Sequence, residues 1–175
     1  MRAYIYFVLA ITAMFFMSCS VEYPEDSLIP EGRLMAEPTR NIPFIIRGYG
    51  DMTLTPPHIT HNTECDGLTL IETEGVSTEA TFGRFTTRTR ICTNREDYYM
   101  VRGVHHFPDG DELFFHSVQY VETEGHVQHT LVFNKGTGQF AGATGTVILN
   151  EEINFHDIMH GTYTFEGEGT LIIPR

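Results

Sequence analysis

Residues 97–122 read DYYMVRGVHHFPDGDELFFHSVQYVE. Two runs rich in Val, Phe, Tyr and His flank Pro108, Asp109, Gly110 and Asp111. Aromatic and β-branched side chains suit a pleated, half-buried surface. Asp-Gly between two such runs is a strong hairpin signal, because the tight turn needs a positive φ that Gly adopts freely. Along the first arm, alternation puts Tyr99, Val101 and Phe107 on one face together with Gly103 and His105.

The same pattern extends in both directions. Upstream lie Ile42–Arg47, bounded by Gly48 and Gly50, then Gly67–Glu74 and Glu79–Cys92 with Gly75 between them. Downstream lie His126–Asn134, Thr144–Ile153 and Gly161–Ile173. None of these segments carries a 3.6-residue apolar period, so little helix is expected outside the N-terminal segment. Short strands joined by short turns predict an all-β meander, and closing it into a barrel removes the exposed edges. Gly83, Gly103, Gly161 and Gly167 inside the runs fit bends or bulges at barrel corners. In the last run Tyr163, Phe165, Leu171 and Ile173 share one face, and Thr162, Thr164, Glu166, Glu168 and Thr170 the other. Pattern alone leaves open which face points inward.

The chain begins MRAYIYFVLAITAMFFMSC. Arg2 is followed by residues 4–17, apolar except for Thr12, then the small Ser18 and Cys19. This order predicts an export signal over residues 1–18. It resembles the lipobox of bacterial lipoproteins, which implies cleavage before Cys19 and lipid attached to it. Phe16 and Met17 depart from the usual lipobox residues, and Ser20 after the cysteine favours the outer membrane by analogy. Residues 19–41 contain three prolines and mixed charge and read as a lipidated N-terminus and tether. Residues 42–175 then form a single domain.

Without residues 1–18 the chain keeps 10 basic and 23 acidic side chains, a net charge of −13. That balance excludes nucleic acid as a partner, since phosphate binding needs Lys and Arg. The expected membrane partner is a bilayer reached through the lipid, not through charge. In an exported chain Cys65 and Cys92 are an even pair, and a disulfide between them is expected.

Residues 133–145, FNKGTGQFAGATG, resemble a Gly-rich phrase of the allene oxide cyclase barrel-like and dirigent-like superfamily. PDGDEL at 108–113 and GTYTFEGEGTLII at 161–173 flank it as they do in that superfamily. The resemblance spans roughly residues 66–175. It implies an eight-stranded antiparallel barrel around a cavity, and it carries no catalytic residue across. Gly136-Thr-Gly138-Gln-Phe-Ala141 also matches a dinucleotide-binding string, but no βαβ unit follows, so that reading fails.

Chemistry-bearing residues point several ways. Nine histidines include the pairs His58/His61, His126/His129 and His156/His160. On a strand, residues i and i+3 point to opposite faces, so these spacings do not make helix-type chelates and no metal site is expected from them. Asp109, Asp111 and Glu112 could hold calcium, but Asp-Gly-Asp at a hairpin tip is ordinary turn chemistry. Arg84, Arg88 and Arg90 alternate on one face, with Arg102 on the same parity. Inside a barrel they would bind a carboxylate; outside they would balance the acidic side chains. No Ser–His–Asp arrangement is legible, no catalytic residue emerges, and no cofactor is expected.

The expectation is an envelope lipoprotein whose barrel binds a small hydrophobic ligand or mediates interactions without catalysis. Phe114, Phe133, Tyr163 and Phe165, with Arg84 and Arg88, are its cavity candidates. The alternative is a cyclase or isomerase acting on a small hydrophobic substrate. An acid or His converging on an apolar cavity would favour that enzyme, and a filled barrel would favour an interaction protein.

Overall fold

The computed structural model describes residues 38–59, 63–123 and 126–175. The expected signal, lipidation at Cys19 and most of the tether fall outside them, as does His61.

Eight antiparallel strands form a closed barrel in meander order: β1 Thr39–Thr55, β2 Thr69–Glu79, β3 Gly83–Thr93, β4 Tyr99–His106, β5 Glu112–Thr123, β6 His126–Gly136, β7 Thr144–Phe155 and β8 His160–Pro174. β1 closes the barrel by pairing with β2 on one side and β8 on the other. Helix among the described residues is limited to two 3-10 turns, Thr63–Cys65 and Gly138–Phe140. The architecture is the one the superfamily resemblance implies.

Strand boundaries differ from the sequence reading: β2 does not stop before Gly75 but runs through Glu79, and β3 starts at Gly83. β1 starts at Thr39 and does not stop at Gly48 but runs through Thr55. Gly48 and Gly50 are strand residues chosen for lack of a side chain. Gly48 faces Phe165 in register, and a Cβ there would run into the Phe165 ring. Gly103 faces Phe115 in register and is covered by its ring in the same way. A large ring laid over a cross-strand glycine fills the barrel without crowding it.

Alternation settles the faces. Even residues of β1 (Phe44, Ile46, Met52, Leu54) and odd residues of β3, β4, β6, β7 and β8 point inward and form the main core. One end is plugged by Phe82, Phe107 and Phe140, with ring centroids 4.3 Å (Phe107–Phe140) and 5.0 Å (Phe82–Phe140) apart. Phe140 belongs to the Gly-rich loop and is fully buried. Gly110 in the hairpin between β4 and β5 has φ +91°, and the Asp109 carboxylate accepts the Asp111 N–H across that turn.

A smaller core sits on the outer wall. Cys65 and Cys92 form a disulfide with Cα atoms 5.1 Å apart, packed against Leu68, Leu70 and Met100. It pins the β1–β2 loop across β2 and β3 and sets Glu64 among the arginines, where it pairs with Arg90 and Arg102.

Candidate functional site

Polar side chains collect inside the barrel, between the aromatic plug and the opposite end. Thr87 on β3 and His105 on β4 face each other in register on neighbouring strands. Ser77 Oγ and Thr87 Oγ1 are 2.6 Å apart, and Thr87 Oγ1 is 2.8 Å from His105 Nδ1. The rings of Phe115, Phe85, Phe133 and Phe44 surround the imidazole, with centroids 4.8, 5.0, 5.9 and 6.3 Å away. Burial in this apolar cage drives the His105 pKa down to about 3, with the neighbouring His106 adding to the fall, so the ring is neutral at any ordinary pH. Its Nε2 is buried and has no hydrogen-bond partner among the described residues.

His129 on β6 brings a second buried imidazole. Its Nε2 lies 3.3 Å from Glu151 Oε2, and its Nδ1 has no partner among the described residues. Tyr163 on β8 completes the group. Burial pushes its hydroxyl up to about 12, with Thr73 beside it pulling the other way and Glu151 adding to the rise. His105, His129, Glu151 and Tyr163 all line one interior cavity with Thr73 and Thr87. The cavity is about 20 Å³, room for roughly one water molecule.

The wall beside this cavity has a seam. β4 and β5 pair over five residues each, from Arg102↔His116 to His106↔Glu112. Beyond that, Tyr99–Val101 pair only with β3 and Gln119–Thr123 only with β6, and β5 is irregular at Phe114/Phe115 and Ser117/Gln119. Side chains close the seam instead of backbone hydrogen bonds. Tyr99 stacks on Tyr120, both hydroxyls donate to Glu122, and the Tyr120 ring sits edge-on to His129 at 4.7 Å. Burial first, and the Glu122 carboxylate second, hold both phenol pKa values above the usual range.

The cavity candidates divide. Tyr163 and Phe165 line the cavity, and Phe133 is interior but packs against Phe44 nearer the plug. Phe114, Arg84 and Arg88 are not interior. Leu113 and Phe115 take the inward positions of β5, so Phe114 lies outside, with Lys135 Nζ 5.0 Å from its ring centroid. Phe85 and Thr87 take the inward positions of β3, leaving Arg84 and Arg88 exposed. Arg88 pairs with Glu74 at 3.0 Å, and Arg90 with Glu72 at 3.1 Å. Solvated pairs avoid the cost of burying guanidinium groups.

His105, His129, Glu151 and the two seam tyrosines were not among the cavity candidates read from sequence. The signal was alternation: His105 shares a face with Val101 and Phe107, His129 with Leu131 and Phe133, and Glu151 with Val147 and Leu149. Elsewhere parity separates the histidine pairs. His126 lies outside near Glu152 while His129 points in, and His160 bonds Asp157 in the β7–β8 turn. His58 is exposed. Asp109 and Asp111 carboxylates accept from Gln139, tying the hairpin to the Gly-rich loop.

Among solved structures, the chain matches the pterocarpan synthase dirigent protein GePTS1, with 13% identity, a TM-score of 0.49, and coverage of 89% of this chain and 100% of that one. No protein-family model matches the chain. No curated protein matches it either. No residue role passes from GePTS1 to this chain.

Proposed function

We propose that this protein is an envelope lipoprotein, held by lipid on Cys19, whose barrel binds a small, largely hydrophobic ligand; His105, His129 and Glu151 converging on the cavity are also what the cyclase or isomerase alternative requires. The observation that carries the reading is the interior itself. Two buried imidazoles each leave a nitrogen without a partner among the described residues, in a cavity beside a side-chain-closed seam. An unpaired buried polar atom costs about 1–3 kcal/mol, so a fold made only for stability would fill these positions with apolar groups. The closed cavity of about 20 Å³ is far below the several hundred Å³ of a drug-sized site. Binding therefore requires the cavity to widen, and the seam beside His129, closed by Tyr99 and Tyr120, is the wall held without backbone pairing.

The same small volume supports a second reading, a packed barrel that works through its outer wall. Exposed Ile45 and Ile148 flank Glu168 in register there, with Tyr49 nearby on β1. Native mass spectrometry of the protein purified from its own host separates the two. A reproducible small-molecule adduct, lost in Tyr163→Ala, supports the binding barrel; clean protein, or a copurifying polypeptide alone, defeats it. Cys19→Ala tests the anchor: the protein should leave the membrane fraction.

A further inference from the structure

We propose that the interior cavity recognises an uncharged molecule through an oxygen that accepts a hydrogen bond from His105 Nε2. This rests on the binding reading above and adds the ligand's chemical class.

The first step is a count of protons. Ser77 and Thr87 are buried, and the hydroxyl of Ser77 is bonded to that of Thr87, which is bonded in turn to His105 Nδ1. Suppose Nδ1 carried the ring proton. It would donate to Thr87, Thr87 would donate to Ser77, and the Ser77 proton would have no acceptor among the described residues. The opposite order places every hydroxyl proton: Ser77 donates to Thr87, and Thr87 donates to Nδ1. The remaining ring proton then sits on Nε2. That atom is the distal end of the ring, away from the wall that Thr87 belongs to, and it is the atom left without a partner. The cavity thus presents a fixed donor.

The second step is charge. Phe44, Phe85, Phe115 and Phe133 enclose the imidazole and supply no counter-charge to a ligand. The carboxylate on the cavity wall is Glu151, which disfavours an anion. The remaining wall includes Ile46, Val101, Leu131 and Phe165. A carbonyl, ether or alcohol oxygen on an apolar frame meets all of these conditions. Its oxygen fits the space beside His105, and its frame lies against the apolar wall as the cavity widens.

The test uses the full chain with ¹⁵N-labelled histidine and three probes of similar shape: acetophenone, α-methylstyrene and benzoate. Long-range ¹⁵N–¹H spectra should show His105 protonated at Nε2. Acetophenone should bind and move that resonance. α-Methylstyrene, which replaces the oxygen with CH₂, should bind about ten-fold more weakly, and benzoate not at all. His105→Phe should erase the preference for the ketone. Should that variant fail to fold, Thr87→Val keeps the shape and should let the ring proton distribute over both nitrogens. A ring protonated at Nδ1 overturns the inference, as does tightest binding by benzoate. Equal binding of ketone and alkene overturns it while leaving the binding barrel standing. Binding by none of the three, together with clean protein in the native spectra, removes both.

Discussion

The rings of Tyr99 and Tyr120 lie face to face, centroids 3.8 Å apart and 16° from parallel, across the stretch where β4 and β5 do not pair. Both hydroxyls reach the same Glu122 oxygen, at 3.4 and 3.1 Å. Backbone hydrogen bonds hold most of the barrel wall, so opening it there would break a ladder. Here opening breaks one ring stack and the hydrogen bond from Tyr99 to Glu122. Those contacts set the ease with which the interior meets solvent.

Tyr120→Ala should therefore act locally. It removes the stack and the edge contact to His129, and should cost about 2–3 kcal/mol of stability in urea unfolding. Tyr120→Phe keeps the ring and loses one hydrogen bond, at about 1 kcal/mol. Amide exchange in residues 117–123 should speed up in Tyr120→Ala while β2 and β8 stay protected. Unchanged exchange at 117–123 would mean that something other than the tyrosine stack closes the seam.

How much of this was legible beforehand depends on what each residue's neighbour is. The strands and their meander could be read from the Asp109-Gly110 turn and the runs around it, because local chemistry dictates them. The disulfide followed from an even cysteine pair. Phe114 and Phe115 could not be told apart: two adjacent phenylalanines sit on opposite faces, and only register with Gly103 sends Phe115 inward. Arg84 and Arg88 had a legible parity but no sign of which side was wet. His105 and His129 lay on recognisable apolar faces, yet a histidine in such a pattern says nothing of a cavity until Thr87 and Glu151 arrive from other strands. The seam is a matter of pairing length and leaves no trace in composition.

The neutral His105 gives the fold an acid limit. Its folded pKa of about 3 lies below the ordinary value of 6.5, so between these pH values the unfolded chain binds the extra proton. Its contribution is fully present above pH about 6.5 and is lost progressively as pH falls toward 3, up to about 5 kcal/mol. In His105→Phe the slope of unfolding free energy against pH should flatten over that window at constant ionic strength. Tyr163 acts in the opposite sense. Its raised pKa of about 12 makes its contribution complete below pH 10 and lost between 10 and 12. Tyr163→Phe should reduce the alkaline loss, read by far-ultraviolet circular dichroism across that range.

Reducing the Cys65–Cys92 bond should cost about 3 kcal/mol, since it closes a loop with a sequence separation of 27. The barrel itself should survive, because the disulfide core is outside it and the main core does not use either cysteine. Unfolding with and without a phosphine reductant measures the difference. The Cys65→Ala, Cys92→Ala double variant should reproduce the reduced value. Its Arg102→Ala derivative should add less than about 1 kcal/mol, since the Glu64 pairing is solvated. Collapse of the strand signal on reduction would show that the loop holds the barrel together.

Gly103 and Phe115 form the sharpest test of how the interior is filled. A Cβ at Gly103 would overlap the Phe115 ring and approach the Arg88 carbonyl. Gly103→Ala should therefore destabilise by about 2–3 kcal/mol, although β-strand φ and ψ suit alanine well. Phe115→Leu alone should cost about 1–2 kcal/mol through lost packing around His105. Together they should cost less than their sum, because the smaller side chain makes room for the new methyl group. A coupling of at least about 1 kcal/mol in the double-mutant cycle is expected. Strict additivity would place the strain of Gly103→Ala in the backbone contact with β3, and the ring would then have space it does not need.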